Sequence, residues 1–390
     1  MKTVEFSSEG IKAIPLSLYL HWPWCVRKCP YCDFNSHAVP SSLDEDAYIR
    51  AVLTDLAAWQ GRTHERSISS VFIGGGTPSL MSGRGLGKLL EGADKLFSFS
   101  SDCEITLEAN PGTVDESRFA AFRQAGVNRL SIGVQSFIDD KLRRLGRIHS
   151  AEDARRAATE AATVFDNFNL DVMFALPGET LEELEGEIAN AVASGATHLS
   201  FYQLTIEEGT AFSKKVPADL PDDDLCADMS DLVASALHSA GFQHYEVSGY
   251  ARPGKECRHN LNYWRFGDYL AAGAGAHGKL TTAEGIVRER RLMSPRGYMQ
   301  AVAASGNGIE SIEQVEADAL PFEFMLNALR LTEGVSAEVF TERTGLMLSA
   351  LEPTLSRLRK EGLICPESSV ICTTLKGMAY LSLVQECFLE

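Results

Sequence analysis

Residues 17–35 read SLYLHWPWCVRKCPYCDFN. The opening SLYLH is a short apolar run suited to a buried strand, and cysteines follow at positions 25, 29 and 32. Spacings of four and three would put the thiols on one face of a helix. Pro23 and Pro30 disfavour a regular helix, so the run is read as a loop leaving the first strand. A loop can wrap three thiolates around one inorganic cluster, and three ligands on a four-iron cubane leave one iron open to a coordinating molecule. Two other arrangements fit the spacing: a zinc site completed by His21 or His37, and three apolar thiols packed in a core.

Working outward, strand-like and helix-like segments alternate. Apolar runs at 70–74 (SVFIG), 104–109 (EITLEA), 129–134 (RLSIGV), 169–175 (NLDVMFA) and 199–204 (LSFYQL) predict buried strands. Helical periodicity lies between them at 44–60, 86–96, 115–124, 151–163 and 181–193, with turn signals at Gly126 and Pro177-Gly178. This alternation predicts an α/β fold with a parallel sheet, and six units instead of eight predict a partial (β/α)6 TIM-like barrel. A loop at 207–221 leads to a helix at 222–240. Residues 252–291 are locally basic, with Lys or Arg at 252, 255, 258, 265, 279, 288, 290 and 291 against acids at 256, 268, 284 and 289. That excess is either a surface for a ligand's carboxylates or a fluctuation on a solvated face. After a loop at 305–311, helices at 322–331, 337–344 and 348–361 and a β-like 370–374 predict a smaller, mostly helical, winged-helix-like C-terminal domain. The expected division is 1–220 for the barrel, 221–310 for an extension of it, and 311–390 for the C-terminal domain.

With 53 acidic and 36 basic residues in 390, the formal net charge of −17 argues against nucleic acid or an anionic membrane as the main partner. Hydrophobic residues make up 45%, enough for a large core, yet no apolar run reaches the ~20 residues of a membrane span. The opening MKTVEFSSEGIKAIP lacks the apolar centre and cleavage site of a signal peptide. The other six of the nine cysteines are scattered, which suits a reducing compartment and a metal site better than a disulfide framework. A cytoplasmic protein without an integral membrane segment is expected.

In barrels of this kind functional groups gather where the strands end at their C-terminal edge. The second strand runs into GGGTP (residues 74–78), which is either a tight turn or a backbone cradle of N–H donors. Glu108 stands at the end of the third strand and Gln135 at the end of the fourth, with Arg147 following in LGRIH; Asp171 interrupts the apolar fifth and Gln203 closes the sixth. A polar group at each of five strands reads as the rim of an active site.

The Cys25-x3-Cys29-x2-Cys32 pattern, with Tyr31 before the last cysteine, resembles the signature of the radical S-adenosylmethionine superfamily. The resemblance implies a 4Fe-4S cluster whose open iron is chelated by the amino and carboxylate groups of S-adenosylmethionine, which an electron from the cluster cleaves to methionine and a 5′-deoxyadenosyl radical. It further implies that Gly75, Gly76 and Thr77 meet the methionine amino group. Glu108, Gln135, Arg147 and Asp171 would position the methionine carboxylate and the ribose, and Tyr19 and Tyr31 would pack by the cluster and adenine. An arginine suits a carboxylate because its fork binds both oxygens.

The likeness spans nearly the whole chain. FIGGGTPSL, GVQSF, LDVMFALPG, HLSFYQLTIE, HNLNYW and EFMLNALRL look like the oxygen-independent coproporphyrinogen III oxidase group, and within it most like its haem-chaperone branch. The chain departs from the oxidases at two points: Phe34 stands where they carry a fourth cysteine, and only 24 residues precede Cys25. The HNxxYW string at 259–264 is the chaperone-like feature. His259 would ligate haem iron through a neutral ring nitrogen, with Cys257 as an alternative ligand. Tyr263 and Trp264 would face the macrocycle, and the basic segment would meet its propionates. Without the likeness, the same residues read more readily as a hydrogen-bonded histidine and core aromatics. The resemblance implies a protein that delivers haem to a haem-requiring partner, respiratory proteins among the candidates. The alternative is a radical decarboxylase that converts propionates to vinyls, which would need an electron donor and acceptor.

Overall fold

The computed structural model describes residues 4–389. Six strands, β1 Leu16–Trp22, β2 Ile68–Gly75, β3 Phe99–Ala109, β4 Arg129–Gln135, β5 Phe168–Phe174 and β6 His198–Gln203, lie side by side in sequence order and are all parallel. A helix follows each of them: α1 Glu45–Ala57, α2 Gly83–Phe97, α3 Glu116–Ala125, α4 Ala151–Val164, α5 Leu181–Ala193 and α6 Asp223–Ser239. β1 is almost wholly buried along its length, as a central parallel strand with both faces covered must be. Capping boxes at Ser150 and Thr180 start α4 and α5. Gly126 stops α3 at φ +112°, a conformation that favours glycine. The main core fills the space between sheet and helices, with Leu18, Leu20, Val71, Leu107, Leu130 and Leu170 at 0–1% exposure.

The barrel does not close, because each outer strand of the six has a different partner. Beside β6 lies the antiparallel pair β7 Gln243–His244 and β8 Gly249–Ala251. Beside β1 lies β9 Asp268–Ala272, which is parallel to it. Three antiparallel strands continue from there: β10 His277–Thr282, β11 Gly285–Arg291 and β12 Ile309–Gln314. The twelve strands form one sheet.

This extension is where the structure departs most from the expected elements. The basic stretch 252–291 holds a short helix, α7 Arg258–Trp264, and three strands, and part of the expected 305–311 loop begins β12. Two of its cations are consumed inside the fold. The fully buried Asp268 binds Arg66 at 2.8 Å and Lys279 at 3.1 Å, and these two cations hold its carboxyl below the usual range against the opposing effect of burial. Arg291 is likewise buried between Asp55 at 3.0 Å and Glu289 at 2.8 Å, with Tyr298 donating to Asp55.

A second core belongs to the C-terminal module: α8 Leu320–Ala328, α9 Ala337–Thr344 and α10 Thr354–Lys360, with a two-stranded wing of Val335–Ser336 and Val370–Ile371. The helix expected over 348–361 is split into a 3-10 turn, Leu348–Leu351, and α10, because Pro353 lacks the N–H a continuous helix needs. Phe266 and Phe324, edge to face at 5.7 Å, lock this module to the extension. Among the described residues no helix is long and apolar enough to cross a membrane.

Candidate functional site

The cysteine loop leaves β1 and is stitched shut behind Cys25. His37 N–H donates to Pro23 O at 2.7 Å and Val39 N–H donates to Cys25 O at 3.0 Å, which pairs Trp24–Cys25 with His37–Ala38 as a short parallel ribbon. Cys25, Cys29 and Cys32 are free thiols lining one cavity of about 360 Å³ at the C-terminal edge of the parallel strands. The three do not converge on a point: among the described residues no three His, Cys, Asp or Glu side chains lie close enough to hold one metal ion. Burial raises the thiol pKa of Cys25 and Cys32. Arg147, half-buried, donates to Cys29 Sγ at 3.8 Å.

The strand-end residues meet in that same cavity. Gly75, Gly76, Thr77, Glu108, Gln135, Arg147, Asp171 and Tyr31 all line it. Gly75 adopts φ +115°, and a Cβ there would lie 2.5 Å from the His21 ring; one on Gly76 would lie 2.5 Å from Trp24 O. Only glycine lets the chain pass so close. Glu108 Oε2 accepts from Gly75 N–H at 3.0 Å. Burial, with Asp171 nearby, pushes the Glu108 pKa up to about 8, so at neutral pH it is mostly uncharged. Asp171 is raised too, again by burial, against bonds from Asn169 at 2.8 Å and Ser131 at 3.0 Å. Arg147 donates to Gly133 O at 2.7 Å, and its buried Nε has no partner among the described residues. These groups can receive a small molecule that carries an ammonium, a carboxylate and hydroxyls.

Tyr19 and His259 lie elsewhere. Tyr19 faces a neighbouring cavity of about 710 Å³. It hydrogen-bonds His21 Nδ1 at 3.0 Å, while His21 Nε2 meets Asn35 O at 2.8 Å. Because a carbonyl only accepts, Nε2 carries the proton and the Tyr19 hydroxyl donates to Nδ1. Burial lowers the His21 pKa to about 4, so the ring is neutral. His259, at 1% exposure, stacks on Phe72 and lines neither cavity. Both of its nitrogens are engaged, with Ser70 Oγ at 3.2 Å and Tyr263 Oη at 2.8 Å, and burial drops its pKa to about 3. It props Tyr263 against the second cavity. Cys257 is buried as well and donates to Glu104 at 3.7 Å.

Sequence reasoning missed several contributors. Tyr202 donates to Gln135 across the first cavity; its place one residue before Gln203 on β6 was the available signal. His277, Arg288 and Arg290 line the second cavity together with Tyr263, Trp264 and Tyr269. Tyr263 and Trp264 stood out in sequence as faces for a macrocycle and the arginines as part of the basic stretch, whereas His277 and Tyr269 did not. Asp33, Phe34, Gly75 and Glu108 belong to both linings, so the two cavities share a wall.

Comparison with known proteins agrees with this geometry. Residues 19–189 match the Radical SAM superfamily and residues 315–380 the HemN C-terminal domain. The solved structure of the Escherichia coli coproporphyrinogen III oxidase HemN superposes with a TM-score of 0.81 at 22% identity, covering 99% of this chain and 94% of that one. The chain thus has the fold and cysteine loop of a radical SAM protein, and membership implies a 4Fe-4S cluster and S-adenosylmethionine, which the three free thiols and the glycine cradle fit. Proteins named heme chaperone HemW are 46% identical in E. coli and 45% identical in Haemophilus influenzae, each over 97% of this chain and 99% of its relative. The chain belongs to the HemW family.

Proposed function

We propose that this protein is a haem chaperone: it takes up haem in the second cavity, beside the cluster and S-adenosylmethionine in the first, and passes the haem to a haem-requiring protein. The observation that carries this reading is the second cavity. Its volume lies within the ~300–1,000 Å³ usual for small-molecule sites. Its walls are aromatic (Tyr263, Trp264, Tyr269) and its rim carries Arg288 and Arg290, a combination that suits a flat apolar ring bearing two carboxylates. HemW relatives named as heme chaperones support the same reading.

In the first cavity Cys25, Cys29 and Cys32 hold the cluster, which supplies an open iron and an electron when it is bound. Gly75, Gly76 and Thr77 would receive the methionine amino group, with Glu108 alongside as a hydrogen-bond partner for it. Arg147, Gln135 and Asp171 position the carboxylate and ribose, and Tyr31 packs by the cluster. Tyr19 acts from behind the wall by fixing His21 under Gly75.

The rival activity, decarboxylation of coproporphyrinogen III, is tested directly. Protein with confirmed cluster content and S-adenosylmethionine binding is incubated anaerobically with coproporphyrinogen III and reductant, and the products are weighed by mass spectrometry. The expected result is no loss of carboxyl groups, together with stoichiometric haem uptake and transfer to an apo-haemoprotein. Stepwise loss of two carboxyls would make the protein an oxidase instead.

A further inference from the structure

Resting on the chaperone reading, we propose that haem iron in the second cavity is ligated by His277, and that Arg288 and Arg290 hold the propionates. The antiparallel register sets these groups on one face. His277 stands directly opposite Arg290, Lys279 opposite Arg288, and Tyr269 opposite Lys279. Residues two apart on a strand point the same way, so the imidazole and both guanidiniums project together into the cavity they line.

Elimination among the lining groups leads to the same residue. His21 has both nitrogens committed, to Tyr19 and Asn35. Tyr263 is tied to His259, and Lys279 to Asp268. His277 is exposed and its ring makes no hydrogen bond among the described residues. Desolvation and the two neighbouring arginines favour its neutral form, against weaker opposing contributions from Glu310 and Glu313. A neutral ring nitrogen is what iron needs. Asp33, Tyr269 and Met293 also line the cavity without a hydrogen bond among the described residues, but Asp33 stands beside Cys32 on the wall shared with the first cavity, burial favours the protonated phenol of Tyr269, and a soft thioether alone is the weaker ligand for ferric iron.

The arginines are held loosely enough to change partner. Arg290 pairs with Glu310 at 2.9 Å, both about half-exposed, and Arg288 pairs with Glu323 on α8. Exchanging these carboxylates for propionates leaves each cation paired throughout.

The test is an anaerobic titration of haemin into cluster-reconstituted, full-length protein, read by Soret absorption and resonance Raman. His277→Ala is expected to lose the histidine-ligated spectrum and bind haemin roughly tenfold or more weakly. Added imidazole should restore the spectrum. His259→Gln and Met293→Leu are expected to keep it, provided circular dichroism shows them folded. An unchanged spectrum in His277→Ala, or its loss in a folded His259→Gln, overturns the ligand assignment alone. Wild-type protein that takes up no haemin overturns the chaperone reading and this assignment with it.

Discussion

The two cavities share a wall and differ in how their walls are held. In the first, four of the polar strand-end and loop groups have partners within the wall: Glu108 on Gly75, Gln135 on Tyr202, Asp171 on Ser131 and Asn169, Arg147 on Gly133. In the second, His277 has no hydrogen bond among the described residues and Arg290 shares a half-exposed ion pair. Groups fixed in advance lower the ordering cost of binding and suit a resident cofactor. Loosely held groups suit cargo that has to leave again.

The sharpest test of that contrast removes one cavity's ligand set. Replacing Cys25, Cys29 or Cys32 with Ala should abolish the brown chromophore of reconstituted protein while haemin uptake persists; iron analysis and Soret titration read the two separately. Loss of both together would break the distinction and make the cavities one site. Next in size, Arg291→Met leaves Asp55 without its cation in the buried base of the extension, while Glu289 keeps Arg62, and should cost about 3–5 kcal/mol in denaturant unfolding. Glu108→Gln keeps the shape of the shared wall but removes its latent charge. S-adenosylmethionine binding should weaken by about 1.5–3 kcal/mol in calorimetry, with haemin affinity little changed.

The same carboxyl gives a pH signature. Its folded pKa of about 8 exceeds the ordinary 4.5, so between those values the folded protein keeps a proton that the unfolded chain releases. Ligand-free protein should therefore lose stability as pH rises through that window, by up to about 1.4 kcal/mol per pH unit, and Glu108→Gln should flatten the slope. The smallest effect expected is from Arg290→Gln, about 0.5–1 kcal/mol in haemin affinity and fading with salt, because its side chain is 46% exposed.

The two regions were also unequally legible in sequence. The parallel strands are continuous apolar runs, and a polar residue at the end of such a run stands out; hence Glu108, Gln135 and Asp171 were found by position and meet in one cavity. The strands of the extension alternate charged and apolar residues, as in GIVRERR and IESIEQ, which resemble solvated segments until their partners are known. The second cavity gathers residues from 19 to 327, so no local window contains it. His259 sits in a string that draws the eye, yet its place is between Phe72 and Tyr263, and no spacing rule distinguishes a histidine that supports a wall from one that faces a ligand.

The glycine cradle has a consequence for assembly. Gly76 N–H donates to Trp22 O and Thr77 N–H to Trp24 O, both at 2.7 Å, so the end of β2 clasps the chain immediately before Cys25, while the return strand ties it from the other side. The segment bearing the three sulfurs is therefore a short loop held at both ends by backbone hydrogen bonds. Closing a small loop with both ends anchored leaves little chain entropy for the metal to overcome. These anchors use backbone atoms and no sulfur, so the ends of the loop are tied independently of what its thiolates hold.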